Sequence, residues 1–208
     1  MSDDNAMADR LRFMKFDARA RDVLRDLRPL LQKSMSEALD GFYEQVRATP
    51  ETRRFFPDER LVASAKSRQE SHWTALASAD FDEKYAAAVR AVGHTHARIG
   101  LDPRWYLGGY ALVTESLIRA IVGDKTSSFY KRVAAKPEEL GESLGVLVKA
   151  VLLDMDLAIS IYLDALEQKR RQVEEERARA LQTQTAALQA LTEALAGIAR
   201  GDLTTRMG

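Results

Sequence analysis

Cysteine is absent from this chain of 208 residues. Its absence excludes disulfide bonds, thiolate metal sites, iron–sulfur clusters and covalent c-type haem attachment. Proline and glycine are also scarce, with 5 and 11 residues, and they stand at breaks between segments. No stretch approaches the roughly 18 uninterrupted apolar residues that a transmembrane helix needs, so we expect no membrane span.

The chain also lacks net charge, because Lys+Arg and Asp+Glu balance at 31 each. This balance argues against a nucleic-acid partner bound mainly through neutralised phosphates. The N-terminal stretch MSDDNAMADR has no apolar core of the kind that a signal peptide needs. A cytoplasmic protein is the simplest interpretation.

Apolar residues recur at helical spacing, and no segment alternates apolar and polar residues at length. The sequence therefore predicts an all-α protein, and its 46% hydrophobic content is enough for one sizeable core. Asp80 is expected to cap the helix that carries His96, and Asp102–Pro103 is expected to start the next one. Further helices are predicted at about 17–28, 30–48, 58–77 and 103–122, with the longest beginning at Glu138.

His96 is the most informative residue, because it completes a stripe on one face of a helix. The stripe consists of Phe81, Tyr85, Val89, Val92 and His96. An imidazole in line with buried apolar residues either pairs with another polar group or binds something. In a chain with three histidines and no cysteine, it is the best candidate for a single axial iron ligand. Periodicity alone also fits a hydrogen-bonded core histidine. His94 points to roughly the opposite face and is expected to face solvent.

The C-terminal third changes character along its length. Residues 144–163 are apolar around most of the helix, which predicts burial against both the chain's own core and a partner subunit. We expect residues 166–190 to form a charged linker helix. The sequence ends before its last sequence pattern is complete, which suggests a fragment of a longer protein. A short coiled-coil seam follows the charged part, formed by Leu181, Leu188, Leu191, Leu195 and Ile198.

Several motifs together resemble the globin domain of bacterial globin-coupled sensors. They are Phe42-Tyr43, His72-Trp73, the run His96-Ala97-Arg98-Ile99-Gly100-Leu101, and Trp105-Tyr106. The resemblance covers about residues 15–165, with residues 1–14 left as a polar N-terminal extension. Separately, the run LAGIARGDLTTRM at 195–207 is similar to the start of a HAMP signal-relay module, which we place at 191–208.

The resemblance implies a globin fold that holds haem b between the helices at 58–77 and around His96, with His96 as the iron ligand. Tyr43 matches the tyrosine that donates a hydrogen bond to bound oxygen, and a core tyrosine with a backbone partner is the alternative. The resemblance also implies a homodimer through helices 103–122 and 138–165. The chain departs from the commonest pattern near residue 65, where Ala63-Ser64-Ala65-Lys66 stands in place of a bulky leucine.

Other candidates for the cofactor site carry less specific signals. Gln69 is a possible second polar group beside the ligand. His72 either approaches the haem edge or a propionate, or is a structural or surface histidine. Arg98 either serves a propionate or forms a surface pair. Candidates for the apolar wall, which any helical core would also contain, are Phe55, Phe56, Val92, Ile99, Leu101 and Tyr106.

Three classes of function are compatible with these features. The leading hypothesis is a haem-based oxygen sensor, also open to CO and NO, in which oxygen shifts the dimer conformation and signals through the C-terminal helix. The HAMP-like end favours a chemotaxis or aerotaxis receptor or a histidine kinase as the missing output, rather than an enzyme in this chain. The alternatives are a haem globin acting on oxygen, nitric oxide or peroxide, and a haem-free dimeric signalling scaffold. Tyr43 and His96 disfavour the scaffold.

Overall fold

The computed structural model describes residues 3–127 and 136–199 and confirms the all-α prediction, since these ranges contain helices and no strand. None of the helices in the described ranges has the combined length and apolarity that a membrane crossing requires. The helices are α1 (Asp3–Phe13), α2 (Ala18–Ala48), α3 (Pro50–Arg53), α4 (Glu59–Ser78), α5 (Glu83–Ile99), α6 (Pro103–Thr126) and α7 (Pro137–Ala199).

Contacts divide the chain into two units, Met1–Tyr162 and Leu163–Gly208. In the first unit α2 packs against α4 and α6, and the core is built from fully buried aliphatic side chains. They include Leu24, Leu39, Leu76, Val89, Leu117, Ile121, Leu147 and Leu153. The second unit contains the rest of α7, on which the seam residues Leu181, Leu188, Leu191, Leu195 and Ile198 are all exposed. The last part of the HAMP-like run, from 200 onward, lies outside the described residues.

The break predicted between 28 and 30 is wrong, because α2 runs through Pro29 without interruption. Proline removes one backbone donor and disfavours a helix interior. Here the helix buries Leu24 and Leu27 before Pro29 and Leu31 after it. Packing of that continuous face against the rest of the core outweighs the local preference of one residue.

The N-terminal segment is more than a polar extension. Residues 3–13 form α1, and both Met7 and Leu11 belong to the hydrophobic core. Arg10 also forms an ion pair with Asp156 of α7, with 2.5 Å between Nε and Oδ2. A short apolar pair one turn apart is therefore enough to attach this segment to the core.

The turn between α4 and α5 differs from the predicted one. Asp82, and not Asp80, caps α5, and its carboxylate accepts a hydrogen bond from the Tyr85 amide at 2.8 Å. Ala79 and Phe81 have φ angles of 58° and 42°, in the left-handed region, and both are buried. Because these two residues reverse the chain direction, the helix can start only after Phe81.

The end of α5 fixes the backbone around His96. Gly100 adopts a left-handed conformation with φ of 69°, and the Leu101 amide donates to the His96 carbonyl at 3.0 Å. This is the usual way in which glycine ends a helix. As predicted, Asp102 then caps α6, accepting from the Arg104 amide at 3.0 Å, with Pro103 in the first turn. The predicted end of α6 near residue 122 is too early, because the helix continues to Thr126.

Two glycines lie in close contact with a neighbouring helix. A Cβ atom added at Gly93 of α5 would lie 2.7 Å from the Ala158 carbonyl oxygen of α7. A Cβ added at Gly109 of α6 would lie 2.7 Å from Cε2 of Phe42 on α2. At Gly93 the neighbour is backbone, so a side chain there would require α5 or α7 to shift, whereas at Gly109 the Phe42 ring would have to move.

Candidate functional site

Tyr43 lies in a small cluster between α2 and α4. Its hydroxyl donates a hydrogen bond to the Gln69 side-chain oxygen at 2.7 Å, so the structure brings these two predicted residues together. The Tyr43 ring packs against Phe56, with ring centroids 5.4 Å apart. Burial raises the pKa of Tyr43 to about 12, which keeps its hydroxyl protonated and able to donate.

One residue of the run at 63–66 contacts this cluster. Ala65 packs against the group formed by Tyr43, Val46 and Val62, in the position where a larger side chain was expected. Lys66 is directed elsewhere, with its ammonium 2.6 Å from the Asp40 carboxylate. The small Ala65 therefore leaves more room beside the Tyr43 ring than leucine would.

His96 is in the last turn of α5, and its Nδ1 atom is buried without a hydrogen-bond partner. Burial lowers the pKa of His96 to about 4, so the imidazole is neutral near pH 7. Its ring lies against Tyr106 of α6, with centroids 4.8 Å apart. Within the described residues, no carbonyl or hydroxyl accepts a hydrogen bond from Nδ1.

A narrow apolar cavity adjoins His96 on the side of α6 and α7. Its volume is about 10 Å³, enough for about one water molecule. The lining residues are Gly93, His96, Leu101, Pro103, Tyr106, Ala158, Ile159 and Tyr162. Leu101 and Tyr106, both predicted wall residues, are thus next to His96.

His72 has a partner that the sequence did not predict. Its Nε2–H donates to Oδ2 of Asp154 at 2.8 Å, and Asp154 is completely buried on α7. Tyr85 of α5 and Tyr110 of α6 also donate their hydroxyl hydrogens to the same carboxylate. Burial disfavours the charged imidazole, but the hydrogen bond and the charge of Asp154 outweigh it and raise the pKa of His72.

We call His72, Tyr85, Tyr110 and Asp154 the Asp154 network. Burial also raises the pKa values of Tyr85 and Tyr110 well above the usual range, with the nearby carboxylate as a further cause, so both remain donors. The sequence signal was available: Asp154 is an acid within the most apolar part of the chain, and buried acids are rare unless paired.

The remaining predicted residues are distributed unevenly. Val92 and Phe55 are half-buried, whereas Arg98 and Ile99 are exposed at the end of α5. His94 is exposed, as its position on the helix predicted. The structure therefore forms two groups from the predicted residues, one around Tyr43 and one around His96.

Comparison with known proteins assigns the chain to a family. The family model described as Protoglobin matches residues 3–168. The chain belongs to the Protoglobin family. This protoglobin chain is 26% identical over 168 residues to the heme-based aerotactic transducer HemAT of Halobacterium salinarum. The alignment covers 80% of this chain and 34% of the transducer, so the chain spans about a third of that relative.

Solved structures show the same fold. The protoglobin chain superposes on the globin domain of the Geobacter sulfurreducens globin-coupled sensor with a TM-score of 0.65 at 20% identity, covering 75% of this chain and 97% of that one. It superposes on the ferric form of the globin domain of E. coli DosC with a TM-score of 0.60 at 20% identity, covering 74% and 99% respectively. The predicted globin fold is therefore confirmed.

The protoglobin domain offers donors that fit haem b. A neutral imidazole whose Nδ1 atom is buried and unpartnered is a suitable iron ligand, and His96 is such a group. The nearby walls are apolar and aromatic, as a porphyrin requires. Because the cavity beside His96 holds about one water molecule, haem binding also requires neighbouring side chains and helices to move apart.

Proposed function

We propose that this chain is the haem-binding domain of an oxygen sensor, with His96 as the iron ligand. The observation that carries the proposal is the neutral imidazole of His96, whose Nδ1 atom is buried with no partner among the described residues, in a domain of the Protoglobin family. Similarity to the heme-based aerotactic transducer of Halobacterium salinarum supports the same class of activity.

Bound haem supplies an iron coordination position for a diatomic gas. His96 would hold the group from α5, and its carbonyl accepts a hydrogen bond from the Leu101 amide. The Tyr43 hydroxyl stays protonated and has one hydrogen, which it gives to Gln69. To donate a hydrogen bond to a bound gas, the hydroxyl would turn from Gln69 to that ligand. Phe56 and Val62 exclude water around that hydroxyl. Carbon monoxide and nitric oxide are further ligands of the same site.

The proposal extends to a homodimer and a downstream partner. Several apolar side chains are exposed on α6 and α7, within the ranges 103–122 and 138–165. They include Leu107, Leu112, Val148 and Leu152. A second copy of the chain would bury these side chains. The output domain would follow in the same polypeptide and belong to a chemotaxis receptor or a histidine kinase, with the HAMP-like run at 195–207 as the relay.

Absorption spectra test the haem assignment. We expect purified wild-type protein, reconstituted with haemin where needed, to show a Soret band that responds to dithionite and then to oxygen. His96→Ala should lose or greatly weaken that band. His94→Ala is the matched control, because it removes an exposed imidazole two residues away on the same helix, and its spectra should equal those of the wild type.

Each alternative outcome contradicts a different part of the proposal. A colourless wild type that does not take up haemin would contradict the proposal and leave the haem-free scaffold. A haem-loaded wild type that turns over oxygen, nitric oxide or peroxide steadily with a reductant would indicate an enzyme. Equal haem binding by His96→Ala and the wild type would remove His96 as the ligand.

A further inference from the structure

The Asp154 network joins four helices through one carboxylate. His72 is on α4, Tyr85 on α5 and Tyr110 on α6, and all three donate to Asp154 on α7. Asp154 is fully buried, so it has no water to replace a lost donor. Burying a carboxylate is costly unless hydrogen bonds replace the lost water, and here three donors do so. The Asp154 carboxylate therefore links the four helices at this point.

The network also connects with the two groups of the candidate site. His72 follows Gln69 by one helical turn on α4, and Gln69 accepts the hydrogen bond from Tyr43. On the other side, the Tyr106 hydroxyl donates to Tyr110 at 3.0 Å, and the Tyr106 ring lies against His96. A single carboxylate on α7 is thus linked to both groups of the candidate site, the one around Tyr43 and the one around His96.

We propose that Asp154 is a coupling residue, which transfers displacement of α4, α5 or α6 to α7. This inference rests on the proposed function, because it needs a ligand-dependent displacement at the haem. When α4 or α6 moves, its donor either leaves the carboxylate unsatisfied or carries Asp154 and α7 along. Leaving the buried carboxylate without one of its hydrogen bonds is costly, so movement of Asp154 and α7 with the donor is favoured. The coupling is energetic, since a ligand moves α7 only through contacts that differ between the two states.

Hydrogen exchange measured by mass spectrometry tests the coupling. The probe is carbon monoxide, added to the dithionite-reduced, haem-loaded protein. In the wild type we expect amides of residues 144–162 to exchange at different rates with and without carbon monoxide. In Asp154→Asn most of that difference should be lost, because an amide offers one acceptor oxygen and cannot satisfy three donors.

Asp156→Asn is the matched control. It makes the same chemical change two residues away on α7, at an exposed side chain whose only described partner is Arg10 at 2.5 Å. It should keep the full carbon monoxide-dependent difference. If Asp154→Asn does not fold, Tyr110→Phe removes a single donor and keeps the buried carboxylate. It should also reduce the difference.

The outcomes separate this inference from the proposed function. Absence of a Soret band in the wild type would refute the haem assignment before any exchange is measured, and this inference with it. A wild type that binds haem and carbon monoxide but shows no exchange difference in 144–162 would overturn the coupling alone. So would an Asp154→Asn protein that keeps the wild-type difference, or an Asp156→Asn protein that loses it.

Discussion

Replacing Gly93 by alanine tests the close crossing of α5 and α7, on which the placement of His96 depends. Alanine in a helix interior is normally better than glycine by about 1 kcal/mol. At Gly93, however, the new Cβ would lie 2.7 Å from the Ala158 carbonyl oxygen, about 0.7 Å inside the ordinary contact distance of 3.4 Å. It would also lie 3.1 Å from the Ile161 Cβ atom. Neither atom is the flexible end of a side chain, so α5 or α7 must shift.

Overpacking of this kind costs about 1–3 kcal/mol, which offsets or exceeds the gain in helix propensity. Gly41→Ala is the control, because Gly41 is exposed within α2 and a Cβ there meets no atom within 4 Å. It should stabilise the protein by about 1 kcal/mol. We therefore expect Gly93→Ala to be about 1–3 kcal/mol less stable than Gly41→Ala.

Urea unfolding followed by circular dichroism measures this difference, provided that the slope of free energy against urea is the same for both variants. Haem affinity of the two variants is a second measurement of the same effect, because Gly93 is one helical turn before His96 on the same helix. Equal unfolding free energies for the two alanine variants would refute the close crossing.

Two further predictions concern the polar groups of the site. Tyr43→Phe should keep haem and raise the oxygen dissociation rate roughly ten- to a hundred-fold in stopped-flow measurements, because a hydrogen bond of about 1–3 kcal/mol is lost; unchanged kinetics would remove Tyr43 from the ligand site. His72 should stabilise the folded state most at low pH, because its folded pKa is raised above the value of about 6.5 in the unfolded chain. The difference in unfolding free energy between the wild type and His72→Gln should be complete below that value and decrease as the pH rises through the raised pKa. A difference that stays constant or grows with pH would contradict this reasoning.

Helical periodicity was enough to predict which face of α5 is buried. The stripe of α5 is buried at Tyr85 and Val89, and His96 ends it in the expected place. The cap at Asp102 was equally predictable, because an acid followed by proline is a local signal. Local signals fail where tertiary packing decides, as at Pro29, where core contacts on both sides maintain the helix.

The parts of the site that were missed depend on contacts between residues distant in the chain. His72 and Asp154 are 82 positions apart, and no pattern within α4 indicates that its histidine meets an acid on α7. The cap of α5 at Asp82 was missed for a different reason. Two acids stand close together there, and the left-handed backbone at Phe81 determines which one precedes the helix.

The turn between α4 and α5 has a consequence for the route by which haem enters and leaves. Two residues there have a left-handed backbone, a conformation that costs side-chain-bearing residues about 1–2 kcal/mol each. They are nevertheless held by α2, where Arg21 donates to the Ala79 carbonyl and Arg25 to the Ser78 carbonyl. Phe81 also packs edge-on against Phe16, with centroids 5.3 Å apart. If haem were held between α4 and α5, as the resemblance implies, these contacts would keep the two helices together at the turn. The opening would then lie at the remote ends, where α5 is followed by Gly100, and the rate of haem exchange should depend on it.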